Sequence, residues 1–231
     1  MTTKRLTKKI LVEQTPDHLH VQFDSPCQVI SSAVLGGGFA EADHILNLKV
    51  EKHPAVQNTA IKPPDATLRG YCSEHGWDGS LVGMMTAASM DSFRMAKEVQ
   101  QGIDIIVLVT TGISNARRAG DVAEYRNVLP VVSDVGTINI ICLTSAGMMP
   151  AAMIEAVMTV TEARAAALQN LGIKSPISNQ TATGTGTDCI AVAADPQAEK
   201  IQYCGKHVVF GEILARLVIE AVSSSIKGNS Q

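Results

Sequence analysis

Three short apolar runs constrain this chain most: residues 103–110, 137–143 and 189–194. They are rich in Ile, Val and Ala, and Asp104, Thr110, Thr137 and Asn139 are their only polar residues. A run of that kind suits a strand buried on both faces, so each side of its sheet must be covered by other structure. Helical periodicity supplies candidate cover. Pro150 opens a segment in which Ile154, Val157, Met158, Thr161, Ala165 and Leu168 keep the 3.6-residue period, and Gly172 closes it. Residues 207–225 form a last helix that is apolar apart from one line, Glu212, Arg216 and Glu220, spaced four apart. A helix so apolar packs on several sides. Residues 89–101 also read as a helix, capped by Ser89 or Asp91 and ended by Gly102, and residues 65–76 as another after Pro63-Pro64.

The first third is strand-rich. Residues 9–13 and 18–23 flank Thr15-Pro16-Asp17, a turn signal, at hairpin spacing. Residues 27–35 form a third run, stopped by Gly36-Gly37-Gly38; residues 44–50 alternate; residues 81–86 make a further strand. The expected fold is α/β: one layered domain over residues 1–231, a mixed sheet flanked by helices, with antiparallel strands added by the N-terminal third. The cluster Lys4, Arg5, Lys8 and Lys9 marks residues 1–9 as a flexible, solvated tail.

Composition narrows the function. Aromatic residues are 3% of the chain, so its 45% hydrophobic content must build a core from Ala, Val, Ile, Leu and Met. Charged residues are 18%, which points to surface buried in a homo-oligomer. A net charge of −3, without a basic patch interleaved with aromatics, argues against a nucleic-acid partner. No apolar stretch reaches the roughly 18 residues of a membrane helix, and no secretory h-region follows the basic cluster. Cys27, Cys72, Cys142, Cys189 and Cys204 show no disulfide or zinc spacing, so a reducing, cytoplasmic compartment is expected.

Chemistry concentrates in a few segments. Thr181 to Asp188 alternates threonine and glycine just before a buried run. Such glycines are costly unless the backbone must bend or approach a ligand. The loop offers N–H groups, hydroxyls and one carboxylate, and could hold an oxyanion. It reads equally well as a tight connection in which Asp188 caps local backbone. It is neither a Walker A loop nor G-x-G-x-x-G. A second segment, Thr110 to Asp121, leaves the C-terminal end of a buried strand, where ligands bind in open α/β sheets. Ser114, Asn115, Arg117 and Asp121 would rim a polar substrate there, or form an ordinary surface loop. Asn139, within the second buried run, needs a hydrogen-bond partner if buried. Glu162 lies at the edge of its helix's apolar stripe. His44 and Asn47 share a strand, and alternation puts them on opposite faces. His44 and His207 are candidate acid–base groups or satisfied structural histidines. No metal-ligand spacing is present.

Taken in order, these segments resemble the adenosylcobinamide amidohydrolase (CbiZ) family. The pieces are Gly36-Gly37-Gly38 with His44 and Asn47; Gly83-Met84-Met85-Thr86-Ala87-Ala88; Gly112 to Asp121; Gly136-Thr137-Ile138-Asn139; Thr161-Glu162-Ala163-Arg164; Ala182 to Asp188; and His207 with Gly211-Glu212. The resemblance spans residues 31–212. It implies hydrolysis of the amide that joins the aminopropanol arm of adenosylcobinamide to the corrin ring. The products are adenosylcobyric acid and 1-amino-2-propanol, in corrinoid salvage for cobalamin synthesis. The corrinoid is then the substrate, with no cofactor and no metal expected. The resemblance carries no catalytic assignment. On chemistry, Asp188 or Glu162 would act as general base and His44 or His207 would protonate the leaving amine. Backbone N–H groups of Gly184 to Gly186 would receive the oxyanion. Ser114, Asn115, Arg117, Asp121, Asn139, Thr183, Thr185 and Thr187 would bind substrate. The rivals are a covalent route through Ser114 or Thr185 and a non-catalytic corrinoid- or nucleotide-binding protein. Met84, Met85, Met148, Met149 and Met153 would line a corrin pocket or pack in the core.

Overall fold

A computed structural model describes residues 1–50, 63–123 and 136–228. The long strands are β1 (Thr2–Arg5), β2 (Ile10–Gln14), β3 (His18–Ser31), β4 (Gly38–Lys49), β5 (Leu81–Thr86), β6 (Arg94–Gln100) and β7 (Ile103–Thr111). After the two-residue β8 (Ala116–Arg117) come β9 (Ile138–Thr144), β10 (Gly147–Met148), β11 (Gly184–Thr185), β12 (Cys189–Ala194) and β13 (Lys200–Ile201). The helices are α1 (Pro64–Glu74), α2 (Pro150–Asn170) and α3 (Val209–Gly228). One mixed sheet runs in the order β1-β2-β3-β12-β9-β7-β6, with β4 paired to β3 and β5 to β4. The chain is a single α/β domain, as expected.

The three apolar runs are the central strands β7, β9 and β12, and their two faces feed different cores. Val107, Val109, Ile140, Cys142 and Val192 meet α2 and α3. Ile106, Leu108, Ile141, Leu143 and Ala191 meet residues of β2 to β5. The sheet folds over itself at β3, whose pairing register to β4 shifts between Gln22 and Cys27. Pro26 sits in this break, where no backbone N–H is needed. Beyond the break β3 joins β12, so a bulge turns one strand into two layers. The outer face of β4 and β5 carries α1 through Leu46, Leu48, Leu68 and Cys72. The layers are thus α2/α3, central strands, curled N-terminal strands and α1.

Several expectations are corrected. Residues 89–101 are not a helix. Ser89 caps a short 3-10 turn, accepting from Asp91 N, and the rest is β6, antiparallel to β7. The backbone groups of the buried strand β7 must be paired on both sides, and β6 supplies one side. Gln101 and Gly102, with φ of 51° and 79°, form the two-residue turn that hairpins require. The run 27–35 is not separate but largely the second half of β3. Residues expected as a tail include β1, an exposed edge strand antiparallel to β2. Of the two readings of the five methionines, core packing holds for most. Met84, Met148 and Met153 are buried in two different cores, Met85 packs against a third, and Met149 is 39% exposed. Among the described residues no helix is long and apolar enough to cross a membrane.

Candidate active site

Strand direction decides where the polar segments meet. β9 is antiparallel to β7 and parallel to β12, so Thr110 and Cys189 both lie opposite Asn139. The loop after β7 and the segments before β9 and β12 therefore emerge at one sheet edge. There β8 and β11 pair antiparallel, Thr183 N donates to Arg117 O (2.8 Å), and Ala119 N donates to Thr183 Oγ1 (2.9 Å). Two loops far apart in the chain, Gly112 to Asp121 and Thr181 to Asp188, become one surface.

Asp188 organises it. Its Oδ1 accepts from Ile138 N (2.9 Å) and the Thr185 hydroxyl; its Oδ2 accepts from Thr185 N (2.8 Å) and pairs with Arg164 Nη1 (2.9 Å). The carboxylate and guanidinium side chains are only 8% and 13% exposed. A carboxylate offers about four lone-pair positions, and all are engaged. None faces open solvent in this arrangement: Asp188 clamps the loop, and the one hydroxyl proton it is placed to accept is that of Thr185. Gly184 is glycine because a Cβ there would overlap the Asp188 carboxylate and lie 3.1 Å from Arg164 Cζ. The Thr185 N–H, one of the expected oxyanion donors, is also committed to this clamp.

A second close approach sits beside it. A Cβ on Gly136 would stand 2.5 Å from Gly112 O and 2.6 Å from Asn115 Oδ1, so the Asn115 amide lies against bare backbone. On the next residue, Thr137 Oγ1 and Thr187 Oγ1 are 2.7 Å apart, and Thr187 also donates to Gly136 O (3.2 Å). Deeper in, Asn139 Nδ2 donates to Asn47 Oδ1 (2.8 Å) and Met85 O (2.9 Å), and Asn47 Nδ2 donates to Thr110 Oγ1 (2.9 Å). Thr110, Asn47 and Asn139 are 1% exposed or less.

The structure therefore brings together Asn115, Arg117, Asn139, Thr183, Gly184, Thr185, Gly186, Thr187 and Asp188. Ser114 is exposed on the same loop. Asp121 accepts from Arg118 N (2.8 Å) and bonds to Ser175, which tethers the loop. Hydrogen bonds from Ser175 and Ser178 hold its carboxyl below the usual range. Glu162 stays outside: it is exposed and ion-paired to Lys206. His207 is exposed just before α3. His44 lies on the face of β4 away from Asn47, with Nε2 against Asp78 O (2.8 Å) and Nδ1 against His20 Nε2 (3.0 Å). Both ring nitrogens are engaged, which leaves none for a leaving amine. His20 stacks on Trp77 with centroids 3.7 Å apart, and burial, with His44 beside it, pushes its pKa down to about 3. Asn47, Thr110, Thr137 and Arg164 were not among the residues expected at the site. For Asn47, Thr110 and Thr137 the available signal was a polar side chain within or just before a buried strand; Arg164 lies on α2 and offered no such signal. A cavity of about 430 Å³ opens at the opposite sheet edge, lined by Lys9, Ser25, Cys27, Asp104, Ser145 and Asp195 among others.

Fold and site together define a single-domain α/β protein with a curled mixed sheet and an amide- and hydroxyl-rich edge. The family model of adenosylcobinamide amidohydrolase (CbiZ) matches residues 3–231, and the chain belongs to that family. It is 30% identical over 199 residues to an uncharacterized protein of Methanocaldococcus jannaschii, covering 80% of this chain and 71% of the relative. It is 26% identical over 205 residues to an adenosylcobinamide amidohydrolase of Methanosarcina mazei, covering 85% and 88%. Among solved structures, a Burkholderia sp. beta-aminopeptidase superposes with TM-score 0.44 at 13% identity, covering 94% of this chain and 78% of the other. The L-aminopeptidase D-Ala-esterase/amidase of Ochrobactrum anthropi gives 0.44 at 10% identity, covering 95% and 83%.

Proposed function

We propose that this chain hydrolyses the aminopropanol amide of adenosylcobinamide, releasing adenosylcobyric acid and 1-amino-2-propanol in corrinoid salvage. The observation that carries the reading is the family match over residues 3–231, whose recognisable segments include those that meet at the Asn115–Asn139–Asp188 edge. In this reading water adds to the amide carbonyl carbon, the C–N bond breaks, and the amine leaves with a proton. The corrinoid is the substrate and no resident cofactor takes part. Buried amide side chains suit a substrate edged with carboxamides, because each can give or take a hydrogen bond. The clamp of Asp188 and Arg164 supports the Gly/Thr loop against which such a substrate would lie.

One observation favours a covalent variant. The Thr185 hydroxyl donates directly to the Asp188 carboxylate. A hydroxyl beside a base is the arrangement of an activated nucleophile. In that variant the Thr185 proton passes to the Asp188 carboxylate as Oγ attacks the carbonyl, the amine departs carrying that proton, and water then cleaves the ester.

The test is incubation of the pure protein with adenosylcobinamide, with and without EDTA, followed by chromatography for both products. Formation of adenosylcobyric acid with equimolar aminopropanol establishes the reaction. Rapid quenching and mass measurement of an acylated chain separate the covalent route from direct hydrolysis. Saturable binding without product assigns the chain to corrinoid binding instead.

A further inference from the structure

Asn139 is 99% buried, yet its Oδ1 faces no hydrogen-bond donor among the described residues. The direction of its amide is dictated by one atom. Met85 O is a main-chain carbonyl and can only accept, so the atom of Asn139 facing it must be the NH2. The same NH2 donates to Asn47, which must therefore present its oxygen. Asn47 then turns its own NH2 to Thr110 Oγ1. Flipping either amide would set donor against donor or acceptor against acceptor. The chain of bonds ties β4, β5, β7 and β9 together, and Thr110 and Asn139 are direct cross-strand neighbours.

A buried acceptor left open is costly, and native interiors rarely keep one. Here three strands and a backbone carbonyl cooperate to leave it unpaired and pointing in one direction. Asn115 Oδ1, on the loop packed against Gly136, is a second buried oxygen with no donor among the described residues. Of the two, the Asn139 oxygen has its direction fixed by its neighbours, and an acceptor held so selects a ligand group that brings an N–H.

We infer that Asn139 Oδ1 receives an N–H of a substrate carboxamide, and that Asn47 and Thr110 are positioning residues that aim it. The inference rests on the proposed amidohydrolase reading and names the group that distinguishes an amide from an ester or acid at this site.

Thr110→Val keeps the shape of the side chain but removes the acceptor of Asn47 Nδ2; Thr110→Ser keeps the hydroxyl. With adenosylcobinamide, Thr110→Val should lower kcat on the order of 10²-fold, the scale for a misplaced reacting geometry, with KM nearly unchanged. Thr110→Ser should restore most of it, and melting temperatures should not follow the activities. Equal activity of wild type, Thr110→Val and Thr110→Ser overturns the inference, as does an equal loss in both variants that tracks melting temperature. If Thr110→Val does not fold, Thr110→Ala gives the same comparison. If the wild type binds adenosylcobinamide but forms no product, the hydrolase reading fails on its own. The inference is then judged by Kd: about tenfold weaker in Thr110→Val and recovered in Thr110→Ser supports it, and an unchanged Kd sinks it. A wild-type protein that neither converts nor binds adenosylcobinamide overturns both.

Discussion

Asp188→Asn separates a clamp from a catalytic base. The substitution keeps one oxygen, which can still accept from Ile138 N and the Thr185 hydroxyl. It replaces the other by an NH2 that faces Thr185 N and Arg164 Nη1, both donors. One backbone hydrogen bond and a buried ion pair are lost together, and Arg164 keeps an uncompensated charge in a side chain 13% exposed. Removing one partner of a buried pair costs about 3–5 kcal/mol. For a chain of this length each kcal/mol lowers Tm by about 2–4 °C, so the expected fall is about 6–20 °C at neutral pH. Thermal unfolding followed by circular dichroism measures it. Arg164→Met should cost a similar amount, and the double variant should lose less than the two singles added, because the second change removes a charge already left unpaired. A variant Asp188→Asn that melts within about 2 °C of wild type yet has no turnover would refute the clamp and restore the carboxylate as the base.

Three further expectations follow from the same geometry. Gly184→Ala places a methyl group against the Asp188 carboxylate and should destabilise by about 1–3 kcal/mol, read by chemical denaturation; a neutral effect would mean the clamp yields easily. His20 is held neutral by burial, so the unfolded chain takes up a proton below about pH 6.5 that the folded chain refuses until about pH 3. Stability from His20 is therefore complete above pH 6.5 and falls by up to about 1.4 kcal/mol per pH unit as the pH drops towards 3. His20→Phe should flatten that part of the profile, and an unchanged slope would assign the acid sensitivity to other groups. Glu162→Gln and His207→Gln alter exposed side chains, Glu162 being paired to Lys206, and should leave kcat and KM within about twofold, as surface changes usually leave the fold unperturbed. Loss of turnover in either would return that residue to the site.

What was legible from sequence is what local pattern encodes. Residues 81–86 and 189–194 have the bounds of β5 and β12, and Pro150 opens α2 where the helical period begins. Unbroken apolarity announced strands covered on both faces, which the two separate cores provide. Local pattern misled at residues 89–101, where helix-like spacing and a cap preceded a strand whose pairing is demanded by β7. It also missed the bend in β3, because a bulge changes the partner rather than the residue pattern.

By itself the sequence determined which segments are buried, which turn, and which polar residues need an explanation; Asn139, the Gly/Thr loop and Asp188 all stood out. Only the tertiary structure decided what each does. Asp188 meets Ile138 and Arg164, Asn139 meets Asn47 and Met85, and His44 meets His20, all across long stretches of chain. Periodicity records whether a side chain faces a core. The partner of a buried polar atom depends on strand order and direction, and that is settled when β12 slots between β3 and β9 and carries its preceding loop to the same edge as Asn139.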